Sequence, residues 1–293
     1  MDAGVNEEVF ANPRSDRVKT VRNLIARAGR MADDRRVVAE GPQAVREAVA
    51  AGCVGDLWLT PEWDDREVGL AFAVRDAGGY VHLATRAVLD AMSAAAQGVL
   101  AICTWPDVGL AQVLADGPPD LVAVFEDARD PGNAGSAIRA ADAAGASLAI
   151  FTVGCVDPRS AKVIRSSAGS FFHLAVAGGV PLDETLVALS AAGCQILAAD
   201  GAGRHDLLES APPFGDMTHD DGSSPSSAGG LGLDLSKPTV WLFGNEARGL
   251  SEEAMALADA SVRIPIFGRA ESLNVAMAAT LCLYASAQAQ GNR

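Results

Sequence analysis

Three stretches in the second half of the chain share one order of features: an apolar strand, a turn with glycine or asparagine, and a helix. In the first, residues 124–146, Asn133 and Arg139 follow the end of the strand. Six positions separate them, so they lie more than one helical turn apart, yet both can border a cleft above the sheet and orient a polar ligand. Taken alone, Gly-Asn-Ala-Gly more often marks an ordinary helix start.

The second stretch, residues 240–251, runs from an apolar strand into Gly244, Asn245, Glu246 and Gly249. Glycine has no Cβ, so this turn lets the backbone approach a ligand closely.

The third stretch, residues 262–288, contains Pro265 within a strand-like run. Proline cannot donate to a strand ladder, which indicates a sheet edge, a strand end or a backbone that faces a ligand. Ser272 is a good N-cap for a helix that is apolar almost all round. Such a helix must be buried, in its own domain or at a subunit contact.

Several other kinds of chemistry lack their motifs. No G-x-G-x-x-G follows the first strand of either predicted domain, and the Gly-Lys-Ser/Thr of a P-loop does not occur. G-x-S-x-G is missing, and His173 lies in an apolar run typical of a core histidine. The five cysteines are far apart and show no zinc-ligand spacing with the four histidines, so we expect reduced thiols and no metal.

The elements that position these motifs form two series. In the first, strands at 35–41, 55–60, 80–85 and 98–105 alternate with helices, which predicts a small α/β layer structure. Three prolines at 105–120 mark the domain boundary. The second series has apolar runs typical of a largely parallel sheet covered on both faces, at 121–127, 147–154, 171–179, 195–200, 239–244 and 262–267. We expect the Gly- and Ser-rich region within 216–236 to be a flexible insertion.

Composition and net charge exclude further classes of protein. The chain has 293 residues, 49% hydrophobic and 20% charged, which excludes wholesale disorder. Its net charge of −14 argues against coating nucleic acid with the whole surface. The acidic start resembles no export signal, and no apolar run reaches about 18 residues, so we expect a cytoplasmic protein that does not cross a membrane.

One local region departs from this acidic balance. Residues 11–36 carry eight cationic side chains against three aspartates, a local net charge of +5. Screening confines surface fields to about 8 Å, so a phosphate backbone could bind there, although a solvated helix face is an equal alternative. The candidate RNA-binding residues are Arg14, Arg17, Lys19, Arg22, Arg27, Arg30, Arg35 and Arg36.

The three stretches together resemble the three motifs of the SpoU/TrmH family of the SPOUT superfamily, RNA ribose methyltransferases. The matching segments are NAGSAIR (133–139), GNEARGLS (244–251) and IPIFGRAESLNVAMA (264–278), in the family's order. VIRSSAGSFFHLAVA (163–177) is similar to the family's intermediate segment. RRVVAEGPQAVREAVAAG, at residues 35–52, is similar to its ribosomal-protein-like substrate-binding domain.

The resemblance implies an α/β protein that transfers the methyl group of S-adenosylmethionine to a ribose 2′-hydroxyl, in ribosomal RNA more than in transfer RNA. It implies an N-terminal RNA substrate-binding domain at 1–107, a linker at 108–119, and a SPOUT methyltransferase domain with a trefoil knot at 120–293. It also implies a homodimer formed through the C-terminal domain.

The resemblance further assigns site residues. The catalytic ones are Asn133, Arg139, Glu246, Ser272 and Asn274. The cofactor-binding ones are Leu242, Phe243, Gly244, Asn245, Ile264, Pro265, Ile266, Leu273 and Asn274. The family associates Arg139 with activation of the hydroxyl. A guanidinium stays protonated in proteins, so our hypothesis is that Arg139 clamps an RNA phosphate bidentately while a phosphate oxygen or a water takes the proton.

Two alternatives remain at this point. A catalytically silent RNA-binding or assembly factor could keep the fold, and a base methyltransferase could use the same scaffold.

Ala247 stands where the family often has glycine, so the turn after Glu246 must accept a Cβ. We expect further RNA contacts from cations near the cleft: Arg159, Lys162, Arg165, Arg248 and Arg269.

Overall fold

The computed structural model describes residues 8–27, 35–105, 110–210, 233–245 and 247–291. It divides into two compact units. Unit 1 comprises Met1–Asp107 and Asp157–His173, and unit 2 comprises Val108–Val156 and Leu174–Arg293. The chain therefore leaves unit 2 after Val156, contributes a short segment to unit 1 and returns at Leu174. The domain bounds expected from the sequence do not include this exchange.

The helices and strands of the described residues are, in chain order, α1 Asp16–Arg27, β1 Arg36–Glu40, α2 Pro42–Ala50, β2 Val54–Leu59, α3 Pro61–Arg66, α4 Val68–Asp76, β3 Tyr80–Leu83, α5 Arg86–Met92, β4 Val99–Thr104, α6 Leu110–Val113, β5 Leu121–Phe125, α7 Pro131–Ala143, β6 Leu148–Thr152, α8 Ala161–Ser166, β7 Ala175–Val180, α9 Leu182–Ala191, β8 Gln195–Ala199, β9 His205–Asp206, α10 Leu207–Ser210, β10 Thr239–Phe243, α11 Glu252–Leu257, β11 Ala260–Arg263 and α12 Val275–Ala289.

Unit 1 is built on a four-stranded sheet in the order β1-β4-β2-β3. Strand β4 pairs antiparallel with β1 and β2, and β3 pairs parallel with β2. Helix α1 buries Val18 and Val21 against Trp58, because apolar residues three positions apart share one helix face. The cations of α1 point to solvent as a result.

A buried ion pair attaches the exchanged segment to unit 1. Glu40 is only 3% exposed, and its carboxylate pairs with Arg165 of α8 and accepts a hydrogen bond from Ser93 Oγ at 2.5 Å. A buried charge is tolerated when it is paired in this way, and loss of one partner is costly. Arg165 is therefore paired within unit 1, and the RNA contact expected for it stays a prediction.

Unit 2 has a seven-stranded sheet in the order β7-β6-β5-β10-β8-β11-β9. All of its strand pairs are parallel. Strands β5, β6 and β10 are buried at every position, which is the burial that their unbroken apolar runs predict. The parallel sheet inferred from the sequence is confirmed.

Some predicted elements differ from the structure. The strand expected at 171–179 begins only at Ala175, because Ser170–Phe172 forms a 3₁₀ turn. His173 is consequently not a core histidine; its ring is 43% exposed and its Nε2 lies 3.3 Å from Glu47 Oε2. Strand β11 ends at Arg263, so Pro265 follows a strand end, one of the three placements expected for it. Most of the insertion expected at 216–236 lies outside the described residues.

Candidate active site

A cavity of about 210 Å³ opens in unit 2 where β8, β10 and β11 end. Open parallel sheets bind ligands at this edge, outside the carboxyl ends of their strands. The turn after β10 and the segment between β11 and α12 form much of its lining. The residues expected to bind a cofactor that line it are Phe243, Gly244, Asn245, Ile264, Ile266 and Leu273.

Three residues expected at the cofactor do not line this cavity. Leu242 is buried within β10, and Pro265 and Asn274 adjoin lining residues. Sequence reasoning missed a whole segment of the lining, Ala199, Asp200 and Gly201, where β8 ends. The signal was present, because an apolar strand that runs into Asp-Gly has the same order as the three motif stretches.

The turn after β10 depends on glycine at position 244. A Cβ there would overlap the backbone of Gly249, which closes the turn. The Asn245 N–H donates to the Gly249 carbonyl at 3.1 Å, and the Gly249 N–H donates back at 2.8 Å. Ala247 is exposed and its N–H donates to Asn245 Oδ1 at 3.0 Å, so the turn accepts its Cβ. Glu246 lies outside the described residues.

The starts of α7 and α12 meet through two asparagines. Asn274 Nδ2 donates to Asn133 Oδ1 at 2.8 Å. Asn274 Oδ1 caps α12 by accepting from the Ala276 N–H at 2.9 Å, while Asp130 caps α7 by accepting from the Asn133 N–H at 2.8 Å. The first and third motifs are thereby joined. Ser272 of the third lines the cavity, and the prediction that it caps α12 is wrong, because Asn274 holds that position.

Arg139 lies apart from this pair. It is exposed on α7, and six helical positions place it about 120° around the helix from Asn133. The cavity lining does not include it. Across the part of the chain that the structure describes, no side chain pairs with its guanidinium, so its N–H donors are available to an anion.

Cys155 lies at the carboxyl end of β5, where its Sγ donates to the Phe125 carbonyl at 3.2 Å. Burial is the largest cause that raises the pKa of this thiol. The thiol therefore stays protonated at neutral pH, which argues against a cysteine nucleophile.

The N-terminal cations are exposed where they are described. Arg14, Arg17, Lys19 and Arg22 surround the outer face of α1, and Lys19 Nζ pairs with Asp16 Oδ1 at 2.9 Å. Arg35 and Arg36 are exposed at the start of β1. Arg27 is the last residue of α1, and Arg30 lies outside the described residues.

Two features are absent from the described residues. No helix there has the length and apolar character needed to cross a bilayer. No group of three or more histidine, cysteine or acidic side chains there could hold a metal ion.

Comparison with known proteins places this site in context. A model of the SpoU rRNA Methylase family matches residues 120–284. An uncharacterized tRNA/rRNA methyltransferase of Synechocystis sp. is 30% identical over 278 residues, which span 93% of this chain and 91% of that protein. The 23S rRNA (uridine(2479)-2′-O)-methyltransferase of Streptomyces viridochromogenes is 37% identical over 164 residues, 56% of this chain and 51% of that protein. The AdoMet-bound rRNA methyltransferase of Sinorhizobium meliloti superposes with a TM-score of 0.76 at 29% identity, covering 95% of this chain and 97% of that one.

Proposed function

Since the chain belongs to the SpoU rRNA methylase family, and is an RNA methyltransferase that uses S-adenosylmethionine, we propose that it methylates a ribose 2′-hydroxyl in structured RNA, ribosomal more than transfer RNA. The observation that carries the proposal is the joining of the first and third motifs by Asn133 and Asn274 beside the cavity. The names of relatives specify 2′-O chemistry, and no comparison favours a catalytically silent protein.

The cavity suits the cofactor in two respects. Gly244 lets the turn after β10 close against the Gly249 backbone at a distance that a Cβ would prevent, which fixes a wall of the cavity. Ile264, Ile266 and Leu273 supply apolar surface for a flat base. When bound, S-adenosylmethionine supplies an activated methyl group on a sulfonium.

The residues of the chain then position the RNA. We assign Arg139 to an RNA phosphate, which its free fork can hold bidentately so that the target ribose is aligned. The Arg139 charge also lowers the cost of negative charge that develops on the 2′-oxygen, while a phosphate oxygen or a water takes the proton. Asn133, Ser272 and Asn274 are assigned to holding the ribose and the loops, as is Glu246.

Further parts of the family likeness remain proposals. We propose that 120–293, apart from the segment 157–173 that belongs to unit 1, is a knotted SPOUT domain, that 108–119 is a linker, and that 1–107 binds the RNA substrate. The family match to 120–284 and the separate sheet of unit 1 support this division. We also propose a cytoplasmic location, because all five cysteines are free, as is usual in a reducing compartment.

We propose a homodimer through α12. Its sequence is apolar almost all round, yet Met277, Leu281 and Tyr284 are 62%, 43% and 39% exposed. These positions share one helix face, so a second copy would complete the burial of α12. A twofold contact would also let one copy supply Arg139 to the cavity of the other, which is consistent with its absence from the cavity lining of its own chain.

Charge on this face should dissociate the dimer. Met277→Glu together with Leu281→Glu is expected to give a monomer by light scattering after size exclusion, because two carboxylates would be buried without partners. Val187→Glu is the control, since Val187 is 57% exposed on α9 of the same unit. A dimer that survives the double change would place the interface elsewhere.

The N-terminal cations should carry part of the RNA affinity. Changing Arg14, Arg17, Lys19 and Arg22 to glutamine is expected to weaken RNA binding and to flatten its dependence on salt, since fewer counterions are released. Affinity for S-adenosylmethionine should not change. Fluorescence anisotropy over a KCl series measures the slope, and a slope equal to that of the unchanged protein would remove α1 from the RNA site.

The proposed function is tested in cells. Mass-spectrometric mapping of ribose methylation in ribosomal and transfer RNA, with and without the gene, is expected to reveal one 2′-O-methylated nucleotide that disappears on deletion. Loss of a base methyl group instead would identify a base methyltransferase, and no difference at all would contradict the proposal.

A further inference from the structure

Asp127 contacts residues in the loops of both the first and the second motif. It follows β5 with a backbone φ of 55°, a left-handed conformation that aspartate and asparagine tolerate better than most residues. Its carbonyl accepts from Asn245 Nδ2 at 3.0 Å. Its carboxylate pairs with Arg129 Nε at 2.5 Å and also with the guanidinium of Arg248.

Most N–H donors of the two arginines stay available to a further partner. Their side chains are 66% and 63% exposed, whereas that of Asp127 is 18% exposed. Each guanidinium has five N–H donors, and across the described residues neither has a partner other than Asp127. Two arginines and one aspartate give this group a net charge of +1, and the neighbouring Glu126 and Asp130 carboxylates accept hydrogen bonds from the backbone N–H groups of Ser251 and Asn133, respectively.

Stability alone is a weak reason for this arrangement. Exposed ion pairs contribute little to folding, because solvent screens them and two long side chains must be ordered. The same geometry is effective for recognition, since a planar fork held in place loses less freedom when it binds a phosphate.

The group also lies where a backbone phosphate is needed. Arg248 belongs to the turn closed by Asn245 and Gly249, and both of these residues line the cavity. Arg129 comes from the loop that leads into α7 and Asn133. An anion between the two guanidinium groups would therefore border the cavity on the side of β5.

We propose that Arg129 and Arg248, held side by side by Asp127, clamp one phosphate of the RNA backbone next to the target nucleotide. The inference rests on the proposed function, because it takes RNA to be the substrate. It adds a phosphate position separate from the one assigned to Arg139, which lies farther along α7.

The test compares R129A, R248A and the double variant with the unchanged chain. The probe is a fluorescein-labelled RNA hairpin transcribed in vitro, titrated without cofactor from 50 to 300 mM KCl. The double change is expected to reduce the slope of log Kd against log salt by about 0.7 to 0.9, the value for one phosphate contact. Each single change should reduce it by less, because the remaining arginine still contacts the same phosphate.

Lys237→Ala is the matched control. Lys237 is 62% exposed, pairs with Asp234 and precedes β10, at the end of the strand opposite Arg248. Its loss removes one charge from the same unit, and the slope is expected to stay unchanged.

An unchanged slope in the double variant would overturn the clamp, and a double variant that loses the slope of two phosphate contacts would overturn the shared phosphate. If R248A loses S-adenosylmethionine binding, its turn has been disturbed, and R129A, which lies outside that turn, decides the question by the same slope. The proposed function can fail separately: a protein that shows these slopes and transfers no methyl group keeps the clamp and loses the reaction.

Discussion

Replacing Arg139 by alanine is expected to lower the turnover number by about 10²- to 10³-fold, the usual effect of removing one group that stabilises charge in the transition state. The guanidinium is exposed and has no partner among the described residues, so its removal should leave the fold unchanged. It does not line the cavity, so affinity for S-adenosylmethionine should stay within about twofold. Single-turnover kinetics with saturating cofactor measure the loss.

Arg139→Lys separates charge from geometry. A lysine keeps the positive charge but cannot grip a phosphate with two parallel hydrogen bonds, so we expect most of the loss to remain. Turnover of the lysine variant near that of the unchanged protein would show that the fork is unimportant. Lys237→Ala controls for the loss of one exposed cation in the same unit.

Gly244→Ala is expected to weaken S-adenosylmethionine binding by at least about 100-fold, because a misplaced wall of a binding site leaves polar groups unpaired. The added Cβ would overlap the Gly249 carbonyl and the Leu250 backbone N, so the turn after β10 must open. Gly201→Ala is the control: Gly201 lines the same cavity, yet a Cβ there meets nothing within 4 Å. Isothermal titration calorimetry compares the two.

The comparison of cofactor affinity between the two variants requires that both are folded. Both variants should keep the far-ultraviolet circular dichroism of the parent chain, because the affected turn follows the carboxyl end of β10 and lies outside the strands and helices. Equal cofactor affinity in Gly244→Ala and Gly201→Ala would show that the cofactor does not bind against this turn.

Local pattern was sufficient to predict the sheet of unit 2 and insufficient to predict long-range contacts in either unit. Strands such as β5 and β10 are apolar at every position, and a strand covered on both faces has that pattern. The hydrogen bond from Asn274 to Asn133 joins residues 141 positions apart, and the pair of Arg165 with Glu40 joins residues 125 positions apart. No pattern within either segment encodes its partner.

The limits of local sequence pattern also explain the wrong prediction for His173 and the missed residues of the cavity lining. His173 looked like a core residue because its neighbours Phe171 and Phe172 are apolar, yet a 3₁₀ turn buries those rings and leaves the imidazole outside. Asp200 and Gly201 were not predicted, because an apolar strand that runs into Asp-Gly also describes an ordinary turn. The motif residues themselves came from resemblance, since a glycine or asparagine turn has the same local pattern with or without a ligand.

The most direct measurement of the central claim is transfer of label from S-adenosyl-L-[methyl-³H]methionine to RNA, followed by digestion to nucleosides. The unchanged protein should place the label in a 2′-O-methylnucleoside of ribosomal RNA, and Gly244→Ala and Arg139→Ala should each abolish most of it. Label on a base, or equal labelling by all three proteins, would contradict an active site formed by this cavity and Arg139.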